Sequence, residues 1–334
     1  MVRVRFAPSP TGSLHLGNAL SAVANRTFVD ERGGTMLLRI DDTDRERNVD
    51  DGARAIATDL ESLGVRWDEG PVHQSSRFVR HREAAHQIGQ PDAEGALRFG
   101  HVTLLRADGS PTYQLASAVD DVDFEITHVI RGSDHRANAD VQSELIRALG
   151  AEPPEFIHHG LLLGEDGTKL SKRHGASTLA DLREAGIPAE AVHAYLVELG
   201  IPKHDVHLDL ARLRRLSVDA LAALSDEELA ARVGVDVSLV PVLRGARDLG
   251  EAREYAQIVL EPEHVDVDAA ETLTRFRELV EAGVDPRGIV RELKAVGGDL
   301  KSLRLALTGR ERGPELAAVI AALPRDELLR RSLG

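Results

Sequence analysis

Hydrophobic and polar positions change their period several times in the first half of the chain. Short apolar runs predict strands, and longer runs with a helical period predict helices between them. Because the two kinds of element take turns, the pattern predicts an α/β fold with a parallel sheet and crossover helices. The predicted strands lie at residues 2–6, 36–40 and 124–130, and the predicted helices at 20–31, about 49–63 and 139–149.

From residue 179 onward the pattern is helical almost throughout. Breaks are predicted at glycines, with the sequence Gly-Ile-Pro at 200–202 as the strongest one. The pattern therefore predicts two domains, an α/β domain at residues 1–185 and an all-helical domain at 186–334. The other predicted breaks are at Gly250, Gly283 and 297–298.

Residues 84–100 have no clear period, since glycines and a proline interrupt them. After them, the segments 102–106 and 110–115 flank the sequence Ala-Asp-Gly, which favours a tight hairpin turn. We therefore predict an irregular segment followed by a β-hairpin.

Composition limits the classes of protein to which this chain can belong. A length of 334 residues, with 42% hydrophobic and 29% charged residues, is typical of a globular protein of two or three domains. No run of 18 apolar residues and no signal-peptide pattern is present, so we expect a cytoplasmic protein without a membrane partner. Because the chain has no cysteine, a disulfide and a thiolate zinc site are excluded.

The distribution of charge along the chain does not predict a nucleic-acid partner. The net charge is −14, with 20 basic and 27 acidic residues in positions 1–180 and 21 and 28 in the remainder. Neither part is a basic module, so any contact with RNA must come from a local patch.

Two segments that are far apart in the sequence contain the residues most typical of a catalytic or binding site. Residues 8–18 (PSPTGSLHLGN) place glycines and His15 where a predicted strand turns into a helix, and backbone N–H groups at such a turn favour phosphate. Residues 164–168 lead into Lys169 and Lys172, and a lysine is a compact charge suited to polyphosphate. Each segment alone could be structural, but together they resemble the paired nucleotide-binding signatures of class I aminoacyl-tRNA synthetases.

Several further segments resemble glutamyl-tRNA synthetases, in the same order along the chain. They include the glutamate-type sequence RVRFAPSPTG at 3–12, and the resemblance covers most of the chain. It implies a Rossmann-like catalytic domain followed by a helical tRNA-binding-like region. The other matching segments are LRIDDTDRER at 38–47, GVRWDEGP at 64–71, THVIRG at 127–132, KLSKRHGA at 169–176 and LRLALTGR at 303–310.

The resemblance implies that the protein uses ATP with Mg²⁺ to form an acyl-adenylate. His15 and the two lysines would be catalytic and would neutralise charge on the phosphates as pyrophosphate leaves. Magnesium would arrive with ATP and needs no protein cage. The implied ATP-binding residues are Thr11, His15, Gly17, Asn18, Lys169, Leu170, Ser171 and Lys172.

The resemblance also implies a glutamate pocket. Arg5 and Arg131 would bind carboxylates, because a guanidinium matches a carboxylate with two hydrogen bonds. Asp41 would face the substrate ammonium, or else it belongs to an acidic helix cap. Ala7, Ser9, Tyr113 and Ser117 would line the pocket, although a tyrosine is more often part of a core. Two positions depart from the family, which has Glu at position 41 and Asn at position 117.

The resemblance is incomplete between residues 83 and 101. Relatives carry a sizeable α/β insertion there that embraces the tRNA acceptor end and, in some, holds zinc, whereas this chain has a short stub. The helical region also has few aromatic residues for stacking on RNA bases.

Three hypotheses follow from the sequence. The first is a compact glutamate–tRNA ligase. The second is a synthetase-derived ligase that transfers an activated acidic amino acid to a small molecule or carrier protein. The third, a binding protein without activity, is disfavoured by the intact His15, Lys169 and Lys172. The segment 308–310 favours the first hypothesis and the missing insertion favours the second.

Overall fold

The computed structural model describes residues 1–44, 46–164, 166–168, 170 and 177–333. The chain divides into two compact units. One comprises residues 1–183 with 192–210, and the other comprises residues 184–191 with 211–334. The functional division at 185 and 186 stays a prediction.

A five-stranded sheet forms the centre of the first unit. It contains β1 (Val2–Phe6), β2 (Gly34–Ile40), β3 (Glu69–His73), β7 (His128–Gly132) and β8 (Glu155–His159). The strand order is β3-β2-β1-β7-β8 and every pair is parallel. The chain thus leaves the central strand β1 towards β2 on one side, and later adds β7 on the other. In open sheets of this kind the ligand crevice lies where the order reverses, here between β1 and β7.

Helices connect these strands, as the alternating pattern predicted. They are α1 (Leu16–Arg32), α2 (Gly52–Ser62), α3 (Phe78–Ile88), α4 (Tyr113–Asp123) and α5 (Arg136–Ala148). The α/β fold class and the parallel sheet are confirmed. Helix α1 packs on β1 and β7, because its apolar residues recur with the period of a helix and are buried.

The prediction for residues 84–130 was wrong in three places. Residues 78–88 form helix α3. The expected hairpin turn forms, with an antiparallel bridge between Leu105 and Pro111, but the second strand predicted at 110–115 does not continue, because Thr112 caps α4 through the backbone N–H of Leu115. The strand predicted at 124–130 begins at His128. One face of α4 is apolar and buried. Over a few residues, this pattern cannot be distinguished from that of a buried strand.

The stub is ordered as a small antiparallel sheet. Its strands are β4 (Gln90–Pro91), β5 (Leu97–Phe99) and β6 (Val102–Leu105). Leu97, Leu104 and Leu105 pack into the same apolar cluster as Ala84, Leu115 and other residues of α3, α4 and α5. The stub is thus part of the core of the first unit.

The chain continues with β9 (Leu162–Leu163), α6 (Leu179–Glu184), α7 (Ala189–Leu199) and β10 (Val206–His207). Strands β9 and β10 pair in parallel, which the helical pattern after residue 179 did not predict.

Helices form the second unit. Ser225 and Glu228 make a reciprocal capping box at the start of α9, and Asp285 caps α13 before its first-turn Pro286. Gly250 was predicted as a break but lies within α11. The helices are α8 (Leu210–Ala223), α9 (Asp226–Val233), α10 (Val240–Leu243), α11 (Leu249–Leu260), α12 (Ala270–Glu281), α13 (Pro286–Ala295), α14 (Leu300–Thr308), α15 (Leu316–Ala322) and α16 (Arg325–Arg331).

Buried apolar residues from these helices, including Phe276, Leu293 and Val319, form the core of the second unit. The all-helical prediction is confirmed there. Within the described ranges, no helix combines the length and the apolar character needed to cross a membrane.

Candidate active site

A cavity of about 600 Å³ opens at the carboxyl ends of β1 and β7. This is the crevice that the strand order predicts. The residues after β1, the start of α1 and the ends of β7 and β8 form its walls. Eleven residues predicted from the sequence line it: Arg5, Ala7, Ser9, Thr11, His15, Gly17, Asn18, Asp41, Tyr113, Arg131 and Leu170.

Four predicted site residues are not among these eleven. Lys169, Ser171 and Lys172 lie outside the described residues. Ser117 is fully buried in α4, and its hydroxyl has no hydrogen-bond partner among the residues described. The roles predicted for these four residues stay predictions.

The loop after β1 is fixed by hydrogen bonds to its carbonyl groups. The backbone N–H of Asp41 donates to the oxygen of Pro8 at 3.0 Å, and that of Val49 donates to the oxygen of Pro10 at 3.0 Å. A Cβ on Gly52 would lie 2.3 Å from the Pro10 oxygen, so the start of α2 approaches this loop closely. These contacts therefore hold the loop in one position above the sheet.

The start of α1 is held by a buried carboxylate. Asp59, which is 2% exposed, accepts hydrogen bonds from the Ser13 hydroxyl at 2.7 Å and from the backbone N–H of Leu14 at 2.8 Å. His15 follows at the N-cap position of α1, with its Nδ1 buried and unpartnered within the described part of the chain. The positive end of the helix and the side chain of His15 thus meet at the cavity.

A chain of four buried charges crosses the floor of the cavity. Arg39 donates to both oxygens of Asp41, at 2.7 and 3.3 Å, and to Oδ1 of Asp121 at 2.8 Å. The Nε of Arg5 donates to the same Asp121 oxygen at 3.2 Å. All four residues are at most 5% exposed. Arg5 and Asp41, at the two ends, line the cavity, whereas Arg39 and Asp121 lie behind it.

The two positive and two negative charges of these four residues balance. Burial opposes the charge on Arg39, but Asp41, Asp121 and Asp120 together raise its pKa well above the usual value. Burial raises the pKa of Asp41 above its usual value, although Arg39 opposes the rise. Asp120 forms a second cluster with His81, Gln74 and Arg77, and although burial opposes ionisation, His81 and Arg39 bring its pKa to about 2.

Arg131 differs from the other buried arginines because none of its hydrogen bonds goes to a carboxylate. It is 7% exposed and donates to the amide oxygen of Gln142 at 2.9 Å and to Nε2 of His158 at 3.4 Å. Its Nη2 is buried without a partner among the described residues. Burial and the charge of Arg5 lower the pKa of Arg131. An anion bound in the cavity would stabilise a buried guanidinium in this state.

His158 is suited to its contact with Arg131. Burial and the charge of Arg131 lower the pKa of His158 to about 4. The imidazole is therefore neutral at pH 7 and can accept the hydrogen bond from Nε.

Sequence reasoning missed Arg39, Asp121, Asp59 and the wall pair Ser21 and His159. Ser21 Oγ lies 2.7 Å from His159 Nε2, and both residues line the cavity. An arginine inside the apolar strand MLLRI and adjacent aspartates in the apolar sequence AVDDV were the available signals. Charges at core positions are rare unless they are paired.

The described residues do not fit a protein-held metal. Within them, no group of three or more histidine, aspartate or glutamate side chains is arranged to hold an ion. We therefore assign no step to a metal bound by this chain.

Comparison with known proteins identifies the family. The chain matches the family described as "tRNA synthetases class I (E and Q), catalytic domain" over residues 1–91 and 92–208. It is 36% identical to glutamate–tRNA ligase 1 of Rubrobacter xylanophilus over 419 aligned positions, which cover 99% of this chain and 96% of the relative. It is 35% identical to glutamate–tRNA ligase 1 of Rhodospirillum rubrum over 439 positions, covering 100% and 99%.

These alignments also show that the chain is shorter than its relatives. The 419 aligned positions exceed the 334 residues of this chain by 85, so at least that many positions of the relative have no counterpart here. The family match is broken between residues 91 and 92, at the end of β4. The stub is the place where we predicted a truncated insertion.

Solved structures support the fold. A crystal structure of a glutamate tRNA ligase from Elizabethkingia meningosepticum in complex with its amino acid superposes with a TM-score of 0.77 at 22% identity, covering 99% of this chain and 98% of that one. Sequence match, sheet topology and cavity position agree. The chain therefore belongs to the glutamyl-tRNA synthetase family of class I tRNA synthetases.

Proposed function

We propose that this protein activates glutamate with ATP and transfers it to tRNA. The observation that carries the proposal is Arg131, a buried guanidinium on the cavity wall that makes no hydrogen bond to a carboxylate within the described structure. An acidic amino acid supplies the missing anion. The relatives named glutamate–tRNA ligase support glutamate as that acid and tRNA as the acceptor.

In this proposal Arg5 and Arg131 both bind the side-chain carboxylate of glutamate. Arg5 reaches Asp121 through Nε, which leaves its terminal nitrogens for the substrate. Asp41 faces the ammonium group, and Ala7, Ser9 and Tyr113 complete the wall. Hydrogen bonds from the guanidinium groups of Arg5 and Arg131 hold the substrate in one orientation.

ATP binds next to the amino acid, at the start of α1. His15, Thr11, Gly17 and Asn18 border the phosphates, with Leu170 on the wall. An oxygen of the substrate carboxylate attacks the α-phosphorus, the bond to the bridging oxygen breaks, and pyrophosphate leaves. His15 donates to a phosphate oxygen. Lys169 and Lys172 neutralise charge on the departing pyrophosphate, and Ser171 is a further ATP-binding residue. Mg²⁺ would accompany ATP and would need no protein cage.

In the second step a terminal ribose hydroxyl of tRNA attacks the carbonyl carbon of the adenylate. An ester forms, AMP leaves and the hydroxyl proton is released. We assign residues 1–185 to both chemical steps and residues 186–334 to tRNA binding. The comparisons give no support to a small molecule or carrier protein as the acceptor.

The test is pyrophosphate exchange with each of the twenty amino acids, with and without purified tRNA, followed by charging of tRNA with the acid that exchanges. We expect exchange with glutamate in the presence of tRNA, and a glutamate ester on tRNA that is labile to mild base. Exchange without tRNA, together with no charged tRNA, would contradict the proposal and favour another acceptor.

A further inference from the structure

The cavity holds Arg5 and Asp41 at a fixed separation through two residues that do not line it. Asp121 Oδ1 accepts from Arg5 at 3.2 Å and from Arg39 at 2.8 Å, and Arg39 holds both oxygens of Asp41. The four groups thus form one continuous ionic chain, Arg5–Asp121–Arg39–Asp41. Each link is charged and buried, so breaking any one leaves an unpaired charge in the interior.

Separate secondary-structure elements supply the links. Arg5 is on β1, Arg39 is on β2 with Asp41 directly after it, and Asp121 is on α4. Strands β1 and β2 are paired in register from Val2 to Phe6, which fixes the two backbones. The flexible part is the arginine side chain itself, and Asp121 removes that freedom by binding the Nε of Arg5.

We infer that Arg39 and Asp121 are positioning residues that set the length of acidic amino acid the cavity accepts. The inference rests on the proposed function. In it, Arg5 at one end of the ionic chain binds the side-chain carboxylate together with Arg131, and Asp41 at the other end faces the ammonium. Fixing the two ends therefore selects glutamate over aspartate, which is one methylene shorter. One methylene is commonly worth a 10–200-fold difference in kcat/KM.

The first test is Asp121→Asn, measured with glutamate and aspartate in the presence of tRNA. Asparagine keeps the volume but loses the charge that holds two arginines together. We expect the ratio of kcat/KM for glutamate to that for aspartate to fall by about tenfold or more. The change should lie mainly in the amino-acid KM, while the KM for ATP stays the same.

The matched control is Asp120→Asn. Asp120 is the neighbouring residue and equally buried, but it binds His81, Gln74 and Arg77, and its closest approach to Arg39 is 3.9 Å. This variant should be less stable and keep the selectivity of the wild type. Equal loss of selectivity in both variants would overturn the inference, because it would show a general effect of core charge.

A second variant decides the matter if Asp121→Asn does not fold. Arg39→Lys keeps the charge, but a lysine lacks the planar fork that binds Asp41 and Asp121 together. We expect the same loss of selectivity, and unchanged selectivity in a folded Arg39→Lys protein would overturn the inference. Failure of the wild type to use glutamate at all would instead contradict the proposed function.

Discussion

The guanidinium of Arg39 binds both carboxylate oxygens of Asp41, two residues further along the chain, at 2.7 and 3.3 Å. Asp41 is thereby drawn towards the sheet, and only 5% of its surface is exposed. The family resemblance places a glutamate at this position. The extra methylene would carry the carboxylate further into the cavity that Asp41 lines.

Asp41→Glu should therefore bind glutamate more tightly. We expect the KM for glutamate to fall by about fivefold to tenfold, since one better-placed charged contact is worth about 1–1.5 kcal/mol. Steady-state exchange with tRNA measures this. Asp42→Glu is the control, because Asp42 binds Ser75 and does not line the cavity. An unchanged KM in Asp41→Glu would mean that residue 41 does not face the substrate.

Ser117 allows a test of which side of α4 the substrate contacts. Its hydroxyl is buried with no partner among the described residues, and it lies away from the cavity wall. Ser117→Ala should leave the KM for glutamate unchanged and raise the free energy of unfolding by up to about 1 kcal/mol, because an unsatisfied polar group is removed. Urea denaturation and exchange kinetics check both values. A marked rise in KM would place Ser117 in the pocket after all.

His158 should make the stability of the protein depend on pH. Its pKa is lowered to about 4, against 6.5 in an unfolded chain, so the unfolded state binds more protons between these values. Stability contributed by neutral His158 is full above pH 6.5 and declines as the pH falls towards 4. Thermal unfolding measured across this range should show a steeper decline in the wild type than in His158→Gln.

Glutamine is a suitable replacement because its amide oxygen accepts a hydrogen bond from Arg131 without titrating. Burial also lowers the pKa of His159 and of His193, so part of the decline will remain in the variant. Identical slopes for the two proteins would show that His158 titrates normally.

Lys172 tests the prediction that rests on sequence alone. Lys172→Ala should abolish ATP–pyrophosphate exchange, because the charge on departing pyrophosphate is then not neutralised. Lys203→Ala is the matched control, since Lys203 is an exposed lysine elsewhere in the chain. Exchange at the wild-type rate in Lys172→Ala would remove this lysine from the catalytic step.

The sequence predicted the α/β class, the order of elements up to α2 and eleven of the residues that line the cavity. Those predictions depend on periods and on motifs that stay local, such as the turn from β1 into α1. The start of α4 was not predictable from its apolar pattern, because that pattern suits a buried strand equally well, and the cap of Thr112 decided it.

Contacts between residues that are distant in the sequence account for the site residues that could not be predicted. Arg39 and Asp121 are 82 residues apart, and nothing in either segment shows that they meet. Likewise, Ser117 lies in the expected segment, but the rotation of α4 relative to the sheet decides which of its residues reach the cavity. Side-chain pairing across distant segments follows from packing, which a single sequence does not display.

The most direct test of the account is the preference of the enzyme for glutamate over glutamine, measured as charging of tRNA by the wild type and by Arg131→Gln. The uncharged amide of glutamine cannot supply the anion that Arg131 requires. The wild type should therefore prefer glutamate strongly, and Arg131→Gln should lose most of that preference, with a fall in kcat/KM for glutamate of about 100-fold or more. Arg147→Gln, a change at an exposed arginine of α5, should behave as the wild type. An Arg131→Gln protein that still charges glutamate in strong preference to glutamine would contradict the account.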